Sequence, residues 1–170
     1  MKRNTGLVTF GGKPVTLMGK LIRPGQPAKN FFAMDTALNT VSLSDFRGKV
    51  RIISSITSVD TDVCAQQTRR FNLEISKLEN TRLLTISCDL PFALKRFCAT
   101  EQIERQLMLS DNRDRDFGVK YGLLVEELGM LARAVVVIDS HDVIRYLEVV
   151  SEIGSHPDYD SVMAVAREVS

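Results

Sequence analysis

Val50-Arg51-Ile52-Ile53 and Leu83-Leu84-Thr85-Ile86 are short runs of β-branched and apolar residues, and the stretch between them carries a helical pattern. Runs of this composition read as strands. The helix is expected over about residues 63 to 79, because Cys64, Thr68, Phe71, Ile75 and Leu78 fall at steps of four and three along one stripe. That stripe should face a core. A shorter helix is expected after the second strand. Strands alternating with helices imply a sheet with helices packed on its faces, so the predicted class is α/β.

Working outward, Leu7-Val8-Thr9-Phe10 and Val15-Thr16-Leu17 flank Gly11-Gly12-Lys13-Pro14, which reads as an N-terminal β-hairpin within residues 1–18. Pro24-Gly25-Gln26-Pro27 then leads to short segments around Phe31-Phe32 and Val41-Ser42-Leu43. Beyond the two strands, Ala134-Val135-Val136-Val137-Ile138 is apolar on both faces, and Asp139-Ser140-His141-Asp142 turns it back into Val143-Ile144-Arg145-Tyr146-Leu147. The expectation is a central antiparallel hairpin. A last helix should start near Pro157, with Asp158 in its first turn and Tyr159, Val162, Met163, Ala166 and Val169 at helical spacing. No repeat or second domain is visible, so residues 1–170 are predicted to form one domain with the hairpin as an extension.

Composition excludes several classes of function. A chain of 170 residues can bury roughly 70% of its unfolded surface without staples. Its 44% hydrophobic and 25% charged residues are ordinary for a globular protein. A net charge of +1 with no basic run and interleaved aromatics gives no footprint for nucleic acid. No apolar run approaches the roughly 20 residues of a membrane span. The start, Met1-Lys2-Arg3-Asn4-Thr5-Gly6, is basic but leads into no secretory apolar region. The expected location is the cytoplasm, where the three cysteines, Cys64, Cys88 and Cys98, should form no permanent disulfide framework. No C-x-x-C pair exists, and His141 and His156 lie far along the chain, so neither zinc nor haem is expected.

Cys64 follows Asp60-Thr61-Asp62-Val63 where a strand and a polar loop give way to a helix. Unpaired N–H groups and the dipole of a first helical turn lower a thiol's pKa from its free value of about 8.5, and the thiolate is the reactive form. Register with Phe71 and Ile75 also fits a small core residue, because free cysteines are often buried. Spacing alone leaves both readings open.

A resemblance separates them. Thr57-Ser58-Val59-Asp60-Thr61-Asp62-Val63-Cys64-Ala65 is similar to the active-site loop of the thiol peroxidases, a peroxiredoxin subfamily with the loop pattern P-x-x-x-T-x-x-C. The likeness continues through Ser87-Cys88-Asp89-Leu90-Pro91-Phe92-Ala93, Lys95-Arg96-Phe97-Cys98, Leu131-Ala132-Arg133-Ala134 and Pro157-Asp158-Tyr159. It implies a thioredoxin-like fold with a central mixed β-sheet flanked by helices. It also implies Cys64 as the peroxidatic cysteine, Thr61 as the hydroxyl orienting thiolate and peroxide, and Arg133 as the cation holding the thiolate. Cys98, 34 residues after Cys64, is implied as the resolving cysteine of an intrachain disulfide. Expected partners are a hydroperoxide and a thioredoxin-type reductant, with no cofactor, and the chain is expected to be a homodimer. Taken alone, Arg133 could cap a strand, Thr61 could be only an N-cap, and Cys98 could be another helical cysteine. Cys88, at the end of a strand, reads as structural.

One departure stands out: Thr57 occupies the position of the motif's proline, seven residues before Cys64. Losing a fixed φ and an apolar wall is expected to loosen the loop and expose the sulfur. Asp62 adds a carboxylate near it, which disfavours a thiolate. Both motivate an alternative, a redox sensor or relay of the same fold with weak turnover.

Overall fold

The computed structural model describes all of residues 1–170. In chain order the elements are β1 (Arg3–Phe10), β2 (Lys13–Met18), β3 (Phe32–Met34), β4 (Thr40–Ser42), β5 (Val50–Ser55), α1 (Asp62–Glu74), β6 (Thr81–Ser87), α2 (Pro91–Glu101), β7 (Leu107–Ser110), α3 (Asp116–Tyr121), β8 (Leu124–Val125), β9 (Met130–Leu131), β10 (Ala134–Ile138), β11 (Ile144–Val149) and α4 (Tyr159–Val169).

Seven strands form a mixed sheet in the order β11-β10-β5-β6-β7-β3-β4. The neighbours β5, β6 and β7 run parallel, joined by α1 and α2 as crossovers, and the remaining pairings are antiparallel. Alternation along the strands divides the core in two. Ile52, Leu83, Val135 and Val137 pack against Phe71 and Ile75 of the α1 segment and Val162, Met163 and Ala166 of α4. Ile53, Leu84, Ile86, Val136 and Ile138 face the other way, toward Phe117 and Tyr121 of α3. Each fully buried aliphatic side chain contributes about 1.5–3 kcal/mol, so these two layers hold the sheet between its helices.

The expected strands at 50–53, 83–86 and 134–138 all lie in this sheet, and the hairpin at the N-terminus is present. Four boundaries or placements differ from expectation. The α1 segment stops short of residue 79: it passes into a 3-10 turn at Ile75–Lys77, and Leu78 is already extended because the chain must turn toward β6. The last helix starts at Tyr159, with Asp158 outside as N-cap accepting from Ser161 N–H at 3.1 Å, so Pro157 precedes the helix. The β10–β11 hairpin is not central, since β11 is the sheet's edge and only β10 is inside it. Residue burial agrees: every residue of β10 is buried, whereas most of β11 is only half-buried. Finally, the N-terminal hairpin joins β8 and β9 in a second sheet, β1-β2-β8-β9, and Val8, Leu17, Val125, Ala132 and Ile153 form its core. Its tip reaches the loop after β11, where Thr9 bridges Glu152.

Candidate active site

Residues 56–61 leave the end of β5 and cross to the start of α1, and Asp89, just beyond β6, holds them in shape. Ser58 Oγ donates to Asp89 Oδ1 at 2.8 Å, and Val59 N–H donates to Asp89 Oδ2 at 2.9 Å. Ser87 Oγ donates to the same Oδ2 at 2.7 Å, which fixes the carboxylate to the sheet. The loop then turns on itself, with Thr61 N–H on Ser58 O at 3.2 Å, and delivers Thr61 as N-cap in extended geometry with φ of −104°. Helix α1 therefore begins with Asp62, and Cys64 lies in its first turn, where backbone N–H groups lack intrahelical acceptors.

Cys64 is fully buried. Its sulfur receives a hydrogen bond from Arg133 Nη2 at 3.1 Å. Arg133, itself 1% exposed, is anchored at every edge of its fork: Nη1 donates to Gln67 Oε1 at 2.7 Å and Nε donates to Ile153 O at 2.8 Å. Gln67 in turn donates through Nε2 to Ser54 Oγ on β5 at 2.8 Å. A guanidinium stays charged at every accessible pH, and burial makes its field on the sulfur stronger than at a surface. The group placed against Cys64 is thus a permanent cation whose orientation is fixed by α1, β5 and the loop after β11.

A cavity of about 370 Å³ opens beside this arginine. Buried Arg133 and Thr57 and exposed Thr61 are among its lining residues, and Phe10, Met130 and Ile153 supply apolar walls. Thr61 therefore reaches the cavity, but its hydroxyl donates to Ser58 O at 3.1 Å and bonds neither Cys64 nor the helix N-terminus. Asp62 lines the same space and is exposed.

Thr57 overturns the expectation of a loosened loop. It is 5% exposed, and its hydroxyl donates to Leu131 O at 3.2 Å, tying the loop to β9. Its own N–H makes no hydrogen bond within the chain, so a residue lacking that donor forfeits no backbone bond there. Thr57→Pro is accordingly expected to fold and to retain peroxide turnover, at a stability cost of about 1 kcal/mol for the lost hydroxyl bond. Thermal melting together with a peroxide assay checks this; a large loss of turnover would assign the hydroxyl a role in the chemistry.

Cys98 lies on α2, half-buried, and both it and Phe97 pack against the cluster of Ile56, Val59, Cys64, Leu94, Ile103 and Met108. The two cysteines thus border one apolar cluster as free thiols. Burial raises the Cys98 pKa. Between α1 and α2 runs a groove of about 360 Å³ bordered by Arg69, Arg96, Phe97 and Glu101, bridged by Arg69 Nη1 and Glu101 Oε2 at 2.9 Å. Cys88 is held apart in the core cluster on the other face of the sheet, and burial pushes its thiol up to about 11. A thiol so protonated is a poor nucleophile at neutral pH, in keeping with a structural role.

Of the residues that sequence reasoning singled out, Arg133 bonds the Cys64 sulfur, Arg133 and Thr61 line the cavity while Cys64 is buried behind it, and Cys98 borders the apolar cluster that includes Cys64. That reasoning missed Gln67, Ser54 and Asp89 as parts of the arrangement. Gln67 lies three residues after Cys64, on the same helical face, and a search for a partner to a buried arginine would have found it. No group of three or more His, Cys, Asp or Glu side chains is gathered as a metal ion would need.

The chain as a whole is similar to known proteins. The model of the Redoxin family matches residues 23–163. A thiol peroxidase of Oceanobacillus iheyensis is 51% identical over 157 residues, covering 92% of this chain and 96% of that protein. One from Streptococcus pneumoniae is 46% identical, covering 95% and 99%. Among solved structures, a peroxiredoxin-like protein from Aquifex aeolicus superposes with a TM-score of 0.91 at 35% identity, over 98% of this chain and 97% of the other. The fold is the thioredoxin-like α/β arrangement of that family. No helix is long and apolar enough to cross a membrane.

Proposed function

The chain belongs to the Redoxin family and, within it, to the thiol peroxidases of the peroxiredoxins, and from this we propose that Cys64 is the atom-transfer centre and Cys98 its resolving partner. The observation that carries the proposal is the 3.1 Å bond from Arg133 to the Cys64 sulfur at the head of α1. The thiolate attacks one oxygen of the hydroperoxide and the O–O bond breaks. One oxygen stays on sulfur as a sulfenic acid, and the other leaves with a proton as alcohol or water. Negative charge develops on the departing oxygen, next to the fixed guanidinium and within reach of the Thr61 hydroxyl once that hydroxyl turns from Ser58 O. The apolar walls of the cavity suit a hydroperoxide carrying an alkyl or aryl group as well as hydrogen peroxide.

In the second step the Cys98 thiol attacks the sulfenic sulfur, water is released and a Cys64–Cys98 disulfide forms. Bridged cysteines need Cα atoms within about 7 Å, and Cys64 is fully buried in the first turn of α1, so the cycle has that turn unwind to bring its sulfur to Cys98 on α2. Opening also exposes Cys98 to water, which relieves the burial that raises its pKa. A thioredoxin-type dithiol then takes up the disulfide by exchange, returning two thiols here and carrying away its own disulfide. We place this cycle in the cytoplasm, treat residues 1–170 as one working domain, and propose a homodimer, for which the exposed Leu90 and Phe92 at the start of α2 offer apolar surface.

Cys98→Ser separates the steps. The variant is expected to consume one equivalent of peroxide per chain and then stall with thioredoxin, thioredoxin reductase and NADPH, read as a burst of peroxide loss without steady NADPH oxidation. Normal cycling would move resolution to Cys88 or to a second chain.

A further inference from the structure

The tip of the N-terminal hairpin is clamped by one carboxylate. Glu152 Oε1 accepts from Gly11 N–H at 3.0 Å and Gly154 N–H at 3.3 Å. Its Oε2 accepts from Gly12 N–H at 3.2 Å and from the Thr9 hydroxyl at 2.5 Å. A carboxylate offers about four lone-pair sites, and here four donors occupy them. The backbone reinforces the joint: Thr9 N–H donates to Ser151 O at 2.7 Å, and Ile153 N–H donates to Thr9 O at 2.9 Å. Gly11 and Gly12 have positive φ, 58° and 76°, as a two-residue hairpin turn between Phe10 and Lys13 requires, and the clamp ties that turn to the loop after β11.

Both sides of the joint face the cavity. Phe10, immediately before the two glycines, forms one wall, and Ile153 and Gly154, immediately after the glutamate, form another. Phe10 remains 47% exposed, so its place at the cavity follows from the hairpin backbone and not from core packing. Glu152 bonds neither Cys64 nor Arg133 in this arrangement, and it joins the two segments that carry these cavity walls.

We propose that Glu152 is a positioning residue for substrate selection, clamping the hairpin tip so that Phe10 packs on the organic part of a hydroperoxide bound beside Arg133. The inference rests on the reading of Cys64 as the peroxidatic centre. Hydrogen peroxide has no organic part for Phe10 to meet, so it serves as the internal reference. Glu152→Gln is the sharpest perturbation, because the amide keeps one acceptor oxygen and turns an NH₂ group toward N–H donors.

The test compares kcat and KM for cumene hydroperoxide and hydrogen peroxide in the full chain, Glu152→Gln, Phe10→Ala and the double variant, with hydrogen exchange at Gly11 and Gly12. The expected result is a fall of about tenfold in the cumene-to-hydrogen-peroxide ratio of kcat/KM, carried by KM, in each single variant. The double variant should add nothing further, since both changes remove the same wall. Exchange at the two glycines should quicken in Glu152→Gln. Thr9→Val, which removes only the hydroxyl donor, should lower the ratio in the same direction and serves if the glutamine variant fails to fold. An unchanged ratio alongside faster glycine exchange, additive losses in the double variant, or equal losses on both peroxides would overturn the proposal. Persistence of both activities in Cys64→Ser would instead overturn the reading on which it rests.

Discussion

Cys64→Ser is expected to lower peroxide turnover by on the order of 10⁴-fold or more while leaving the fold in place. The reason is local. Serine has nearly the shape of cysteine, and its hydroxyl can accept the bond that Arg133 Nη2 now gives to the sulfur, so the fork to Gln67 and Ile153 keeps its geometry. What disappears is the only nucleophile at the arginine, because an alcohol does not ionise near neutral pH and an oxygen nucleophile does not take up a peroxide oxygen reversibly. A melting temperature close to that of the unsubstituted chain, together with a flat peroxide assay, is the expected pair of results. A variant that folds and still turns over peroxide would place the chemistry elsewhere.

Arg133→Lys should be nearly as damaging, with kcat/KM falling about 10²- to 10³-fold despite the retained charge. Three acceptors, on Cys64, Gln67 and Ile153, sit around one planar fork, and an ammonium on a flexible stem cannot meet all of them at once. Those left behind are buried, and an unsatisfied buried acceptor costs about 1–3 kcal/mol, so a lower melting temperature should accompany the kinetic loss. Assays kept well below the melting transition separate the two effects. If the lysine variant matches the original rate, charge alone suffices and the fork geometry is irrelevant.

The parts of the fold written in local pattern were legible. The apolar runs of β5, β6 and β10 announce themselves, and the α1 stripe from Cys64 to Ile75 is buried as its spacing requires. Strand order was not legible in the same way. A run buried on both faces, as in β10, and a half-buried neighbour, as in β11, differ by which other strands arrive beside them, and that is decided by the crossovers carrying α1 and α2. The six-residue α3 gives too short a pattern to detect; its limits are set by left-handed residues at Arg115 and Gly122. At the site, the loop motif and Arg133 could be named from resemblance, but Gln67, Asp89 and Glu152 could not be read as partners from the chain. Each is an ordinary polar residue until folding brings a distant donor to it: Arg133 to Gln67, the 58–59 loop to Asp89, the hairpin tip to Glu152. Thr57 is the converse case. As a missing proline it suggested a slack loop, and only the carbonyl of Leu131 within reach of its hydroxyl reverses that expectation.

The most direct measurement uses Cys98→Ser protein, fully reduced, mixed with one equivalent of cumene hydroperoxide in the presence of dimedone, followed by peptide mass mapping. The expected result is one sulfenic acid adduct per chain, confined to the peptide containing Cys64, with the peroxide consumed in equal amount. An adduct on Cys88 in place of Cys64, or peroxide left untouched, would contradict the assignment of an arginine-held sulfur at the head of α1 as the group that breaks the O–O bond.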